Sequence, residues 1–156
     1  KGRNLFVDTL RHYGDLPAIV TDTGLTLSYG ELADKVDAFA DSLGSHRQLL
    51  IVETLNELHP LIAYLGALRA RHPVILVAAF AVYRQTPIGS WTLEKNPKYK
   101  QAQLHPDLCV LLSTSGTTGS AKLVRLSQEN IEANARSIAQ YLELDTRQTT
   151  ITTLPF

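Results

Sequence analysis

Leu108-Cys109-Val110-Leu111-Leu112, then Ser113-Thr114-Ser115-Gly116-Thr117-Thr118-Gly119-Ser120-Ala121-Lys122, then Leu123-Val124-Arg125-Leu126 decide how this chain is read. The first run is wholly apolar and short, the signature of a buried strand. Ser113 to Lys122 is dominated by small and polar residues, so it adds nothing to a core. Gly116 and Gly119 allow positive φ and let backbone N–H groups turn inward. Serine and threonine hydroxyls add donors, and Lys122 adds a point charge without demanding bidentate geometry. A loop with this donor set holds anions, and polyphosphate is the guest that suits it. Leu123 to Leu126 then alternates like a returning strand.

An ordinary surface turn is the competing reading of any Ser/Thr/Gly cluster. Thr114 to Gly119 is unusual, though: with average residue usage it arises by chance about once in 10⁵ chains of this length. A Walker A loop needs Gly and Lys adjacent and a helix after them; here two residues separate Gly119 from Lys122. The Rossmann Gly-x-Gly-x-x-Gly and the Gly-x-Ser-x-Gly nucleophile elbow are both absent from the sequence. A Ser120/Lys122 nucleophile and base pair stays formally open, with no neighbouring sign of acyl transfer to serine.

Working outward, apolar strands alternate with amphipathic helices. Asn4 is expected to cap a short helix carrying Leu5, Phe6, Leu10 and Tyr13, ended near Gly14. Ala18 to Thr21 and Leu25 to Leu27 read as a hairpin around Asp22-Thr23-Gly24. Ser28 and Glu31 form a capping box for a helix with Leu32, Val36, Phe39 and Leu43 inward, stopped by Gly44. Leu49 to Val52 and Val74 to Val77 read as buried strands. Between them Asn56 is expected to cap a helix with Leu58, Ile62, Leu65 and Leu68 on one face. Residues 84–107, polar and holding Pro87, Pro97 and Pro106, read as a linker with little regular structure. Ser127 should cap a last helix with Ile131, Ala135, Ile138 and Leu142 inward, and Thr149 to Thr153 read as a closing strand. Doubly apolar strands alternating with helices predict an α/β fold with a mostly parallel sheet layered with helices.

Composition narrows the function classes. The 156 residues carry fifteen basic and fifteen acidic side chains, so no global field favours nucleic acid or an anionic membrane. Hydrophobic content of 44% is that of a globular protein. Apolar runs are too short to span a bilayer. Cys109 stands alone, which excludes an internal disulfide and fits a reducing cytosol, so a cytoplasmic location is expected. His12, His46, His59, His72 and His105 lack metal-ligand spacing and read as surface or helix-end residues; no metal site is expected. Glu53, just past a strand end, reads as a solvated carboxylate, with a site residue by position as the lesser alternative. Methionine is missing, and the chain stops at Leu154-Pro155-Phe156; both ends look cut, so a larger protein is expected.

Thr114-Ser115-Gly116-Thr117-Thr118-Gly119 and Lys122 resemble the phosphate-binding loop of the adenylate-forming enzymes, whose pattern is Thr-Ser-Gly-(Ser/Thr)-Thr-Gly-x-Pro-Lys-Gly. Ala121 stands where proline is usual and Leu123 where glycine is usual. Leucine there rules out positive φ, so the turn after Lys122 must be relaxed enough for an ordinary residue. The resemblance extends to Ser28-Tyr29-Gly30-Glu31-Leu32-Ala33, to Leu65-Gly66-Ala67-Leu68, to Leu123–Ser127 with Asn130, and to Leu154-Pro155-Phe156. After Leu68 the family usually has Ala-Gly, whereas this chain reads Arg69-Ala70-Arg71-His72-Pro73.

That resemblance implies part of the large N-terminal domain of such an enzyme. It divides into first βα units at 1–83, the 84–107 linker and a phosphate-loop unit at 108–156. It implies ATP with Mg²⁺ and activation of a carboxylic acid as an acyl-adenylate, then transfer to CoA or an acyl-carrier protein. Thr114, Ser115, Thr117 and Thr118 would give hydroxyls to phosphate, Gly116 and Gly119 would admit close backbone approach, and Lys122 would neutralise charge. No catalytic residue is expected within this segment; the rest of the same polypeptide would supply those, and the segment alone is expected to be inactive. An amino-acid adenylation domain of a peptide synthetase and a non-catalytic scaffolding relative are the alternatives.

Overall fold

A computed structural model describes residues 5–77, 83–85, 91–93, 103–113 and 122–152. Its centre is a six-stranded sheet in the order β6-β5-β3-β4-β7-β8. The strands are β3 (Leu50–Glu53), β4 (Val74–Val77), β5 (Tyr83–Gln85), β6 (Trp91–Leu93), β7 (Leu108–Ser113) and β8 (Leu123–Ser127). β3 pairs in parallel with β4 and with β5, and β4 with β7; the outer strands β6 and β8 run antiparallel to their neighbours. The sheet is thus α/β and mainly parallel, as its apolar runs predict. The 3₁₀ helix Phe6–Tyr13 leads into a separate hairpin of β1 (Pro17–Val20) and β2 (Thr26–Ser28).

Local chemistry sets the helices α1 (Tyr29–Ser42), α2 (Leu58–Arg69) and α3 (Gln128–Tyr141). Ser28 Oγ accepts from Glu31 N–H at 3.1 Å, while the Ser28 N–H donates to Glu31 Oε2 at 2.9 Å. Two orphan donors are satisfied by one pair of side chains. Ser127 and Asn130 repeat the device for α3. Gly44, at φ 74°, ends α1 in the left-handed conformation expected of it.

The core joins the 3₁₀ helix (Leu5, Val7, Leu10), α1 (Leu32, Val36), α2 (Ala63, Leu68) and the sheet residues Val52, Val74 and Val110. α1 and α2 touch closely, because Gly66 faces Phe39: a Cβ there would lie 2.7 Å from Phe39 Cδ1. An ion-pair chain ties the same elements at their rim. Arg11 meets Asp34 and Asp37, Asp37 meets Arg69, and Asp8 accepts from Arg69 and Arg71. Burial pushes the Asp8 carboxyl up, but Arg71, the Leu5 N–H and Arg69 more than reverse this and hold it below the usual carboxylate range.

Several expectations need correction. Tyr83–Gln85 and Trp91–Leu93 are paired strands within or beside the stretch read as linker. The N-cap of α2 is Glu57, which makes no side-chain capping bond, one residue after the expected Asn56. Asn4 lies outside the described residues, and the first helix is 3₁₀. Residues 149–152 form no strand. The α3 stripe is inward only at its start: Ile131 packs on the core, while Ile138 and Leu142 are 48% and 56% exposed. His72, read as a surface or helix-end residue, does follow the end of α2 but is buried, at 2% exposure.

Candidate functional site

Registers fix where the polar loop is anchored. Glu53 pairs with Val77, and Leu76 with Leu112. The parallel strands β3, β4 and β7 therefore end level with one another at one edge of the sheet. Open α/β sheets bind ligands at this carboxyl edge, where strand ends leave a crevice and backbone groups point outward. β7 ends at Ser113, which is the register partner of Leu123 on β8. Residues 114–122 thus span two backbone positions held side by side across a ladder.

Thr114, Ser115, Gly116, Thr117, Thr118 and Gly119 lie outside the described residues, as does Ala121. Lys122 is described and exposed, immediately before β8. Leu123 opens that strand in extended backbone, which meets the requirement that leucine in the glycine position avoids positive φ. The expected donor Lys122 and the loop's two anchors therefore stand at the carboxyl edge. Glu53, at the end of β3 on the same edge, is half-buried.

A cavity among the described residues lies elsewhere. It measures about 560 Å³ and is lined by Arg47, Arg71, His72, Leu108, Cys109 and Ser127, among others. Leu108 starts β7 and Ser127 ends β8, so this cavity sits at the amino edge. A six-residue strand separates the two edges, roughly 17 Å at the usual rise of a strand. Its cationic side chains are committed to the protein. Arg47 donates to the carbonyls of Arg71 (2.9 Å), His105 (3.0 Å) and Leu108 (2.7 Å), with longer bonds to Leu104 and Pro106. Arg71 donates to Asp8 at 2.6 Å. Burial pushes the Cys109 thiol above its ordinary range, so it is an inert core group.

Sequence reasoning missed Arg47, whose five bonds hold the approach to β7, and the buried His72. Nothing in their immediate neighbours signals either role, because both partners come from distant segments. Among the described residues no group of three or more His, Cys, Asp or Glu is placed to hold a metal ion, and no helix is long and apolar enough to cross a membrane.

Comparison with known proteins bears on the same region. No curated protein sequence matches the chain. Among solved structures, apo MatB from Rhodopseudomonas palustris superposes with a TM-score of 0.71 at 18% identity, over 96% of this chain and 40% of that one. The ATP-bound form of that MatB matches with a TM-score of 0.63 at 19% identity, over 88% and 38%. O-succinylbenzoate coenzyme A synthetase (MenE) from Bacillus subtilis, in complex with AMP, gives 0.72 at 15% identity, over 96% and 49%. This chain therefore spans less than half the length of these three structures, and at such identities they show the fold: that of the N-terminal domain of adenylate-forming enzymes. The family described as "AMP-binding enzyme" matches residues 48–156, which include the ends of the parallel strands and the whole loop, and the chain belongs to that family.

Proposed function

We propose that this chain is the phosphate-binding part of an AMP-forming acid–thiol ligase. In this reading Thr114 to Gly119 and Lys122 grip the β and γ phosphates of ATP. A carboxylic acid is activated as its acyl-adenylate and then passed to CoA or an acyl-carrier protein. One observation carries the reading: a run of small and polar residues with two glycines, between Ser113 and Leu123, follows a parallel strand in a chain of the AMP-binding family.

The role follows from charge. Attack of a carboxylate oxygen on the α-phosphorus forms the acyl–phosphate bond and breaks the bond to the bridging oxygen, so pyrophosphate leaves with extra negative charge. Fixed hydroxyl and N–H donors spread that charge, and an ammonium neutralises part of it. The donor chemistry of the loop suits phosphate oxygens. It offers no carboxylate to Mg²⁺, so the metal's ligands are assigned to ATP itself and to groups outside this loop. Support for ATP as the nucleotide comes from the solved relatives, of which one MatB holds ATP and one MenE holds the acyl-adenylate OSB-AMP. VinN, matched at 20% identity over 90% of this chain, is in complex with 3-methylaspartate. That relative keeps an amino acid open as the carboxylate substrate.

Lys122→Ala in the full-length protein tests the assignment. Loss of one charged hydrogen bond should weaken ATP binding by ~1.5–3 kcal/mol, roughly ten- to a hundredfold in Kd. Titration of ATP by calorimetry reads the affinity, and pyrophosphate exchange reads the adenylation rate. Unchanged affinity together with an unchanged exchange rate would remove Lys122 from the site.

A further inference from the structure

The amino edge of the sheet is held by one imidazole. His72 is buried at 2% exposure, just after α2. The Gln48 N–H donates to its Nδ1 at 3.0 Å, and its Nε2 faces the Gly44 carbonyl oxygen at 3.3 Å. A backbone N–H needs the Nδ1 lone pair, so the ring proton sits on Nε2 and the ring is neutral. A second proton has no place on Nδ1 without expelling the Gln48 N–H.

That contact is part of a larger fastening. Residues 44–48 connect α1 to β3, and His72 itself belongs to the connection from α2 to β4. Arg47, inside the first connection, bonds the Arg71 carbonyl and the carbonyls of Leu104, His105, Pro106 and Leu108. Three separate segments, feeding the parallel strands β3, β4 and β7, thus meet at Arg47 and His72. Both residues line the 560 Å³ cavity, so water lies close to the fastening once it opens.

We propose that His72 is a proton-operated latch: acid protonates its Nδ1, frees the Gln48 N–H and releases the Arg47 clamp on residues 104–108. Burial and nearby positive charge outweigh the Gly44 acceptor that favours a second proton. Burial lowers the imidazole's affinity for a proton, and Arg47 and His46 add positive charge nearby, while the Gly44 carbonyl pulls the other way. Arg71 is paired with Asp8, and Asp107, Cys109 and Glu129 line the same cavity. The native ring therefore binds its proton less readily than an exposed one. Closure is then fully favoured above the ordinary histidine value of about 6.5 and weakens as pH falls below it.

Amide hydrogen exchange in the intact protein tests this, followed by mass spectrometry on peptides covering 44–50 and 103–109 and corrected for intrinsic pH dependence. From pH 7 to pH 5 the open fraction of both segments should rise at least fivefold and up to about 25-fold, the limit set by a ring that protonates only when open. His72→Asn keeps an acceptor for Gln48 and cannot titrate, so its exchange should stay flat; His46 and His105 remain in that variant as internal controls. A rise below fivefold in the wild type, or equal rises in both proteins, overturns the latch. Should H72N fail to fold, ¹⁵N chemical shifts of the wild-type imidazole decide. An Nε2–H tautomer titrating below 6.5 in step with exchange upholds the proposal; titration at or above 6.5 overturns it.

Discussion

Replacing Gly66 by alanine probes the contact on which the helix layer depends. An added Cβ would stand 2.7 Å from Phe39 Cδ1, 3.1 Å from Phe39 Cβ and 3.1 Å from the Val36 carbonyl oxygen. Two of those neighbours are anchored close to the α1 backbone, so side-chain rotation alone does not clear the clash; α1 and α2 must separate. Overpacking of this kind costs about 1–3 kcal/mol, and the short distances place it at the upper end. Alanine returns about 1 kcal/mol through its better helix propensity. Gly66→Ala should therefore destabilise the protein by about 2 kcal/mol, a fall in Tm of roughly 4–8 °C at this chain length. Urea titration with and without Phe39→Ala provides the decisive comparison. Removing the ring leaves only the 3.1 Å contacts, so the cost of Gly66→Ala should shrink by about 1 kcal/mol in that background. Strict additivity, or a neutral Gly66→Ala in the wild type, would refute the claim that Leu65-Gly66-Ala67-Leu68 carries glycine for helix–helix approach.

Other outcomes rest on the same geometry. Arg71 has φ 62°, so Arg71→Gly should be about 1 kcal/mol more stable than Arg71→Ala, both lacking the guanidinium; equal urea midpoints would deny the strain. Asp8→Asn should cost about 1–2 kcal/mol near neutrality by discarding charge-assisted bonds to Arg69 and Arg71. Because the native Asp8 carboxyl sits below its usual range, its stabilisation is complete above about pH 4 and disappears as pH falls through the native value. The gap between wild type and D8N should accordingly close in acid, and a gap constant down to pH 2 would contradict the ion-pair network. Arg47→Lys removes the planar fork that reaches five carbonyls and should cost about 2–3 kcal/mol by urea titration; a loss below 0.5 kcal/mol would show the fork to be dispensable.

The order of elements is legible in the sequence because it is written in local patterns. Ser28 and Glu31 specify a helix start within four residues, and Gly44 specifies a stop by its own φ. The parallel strands are legible from unbroken apolar runs. Where the sequence misleads, the deciding partner comes from far along the chain. Tyr83-Arg84-Gln85 and Trp91-Thr92-Leu93 carry no strand periodicity; β5 is a strand because Tyr83 registers with Val52, and β6 because it pairs with β5. The stripe on α3 foretells a helix correctly, but periodicity says which face is apolar and not what covers it. The loop at 114–121 is recognisable from composition alone, and it is the register of Ser113 with Leu123 that puts its anchors at the carboxyl edge.

The end of α2 shows most clearly why such signals fail. The His72 N–H bonds the Ala67 carbonyl at 2.8 Å and the Arg71 N–H bonds the Leu68 carbonyl at 3.1 Å, the paired closure that normally recruits glycine at the left-handed position. Arginine there costs backbone energy, about 1–2 kcal/mol for an L-residue. Its side chain offsets that cost by reaching Asp8, which also receives Arg69 and the Leu5 N–H. The same turn sets His72 against Gln48 and hands the Arg71 carbonyl to Arg47. A search for glycine passes over this stop, because the sequence encodes it through an aspartate sixty-three positions away. Arg71 thus holds a left-handed helix stop without glycine, through an ion pair that binds the 3₁₀ helix to the sheet's amino edge.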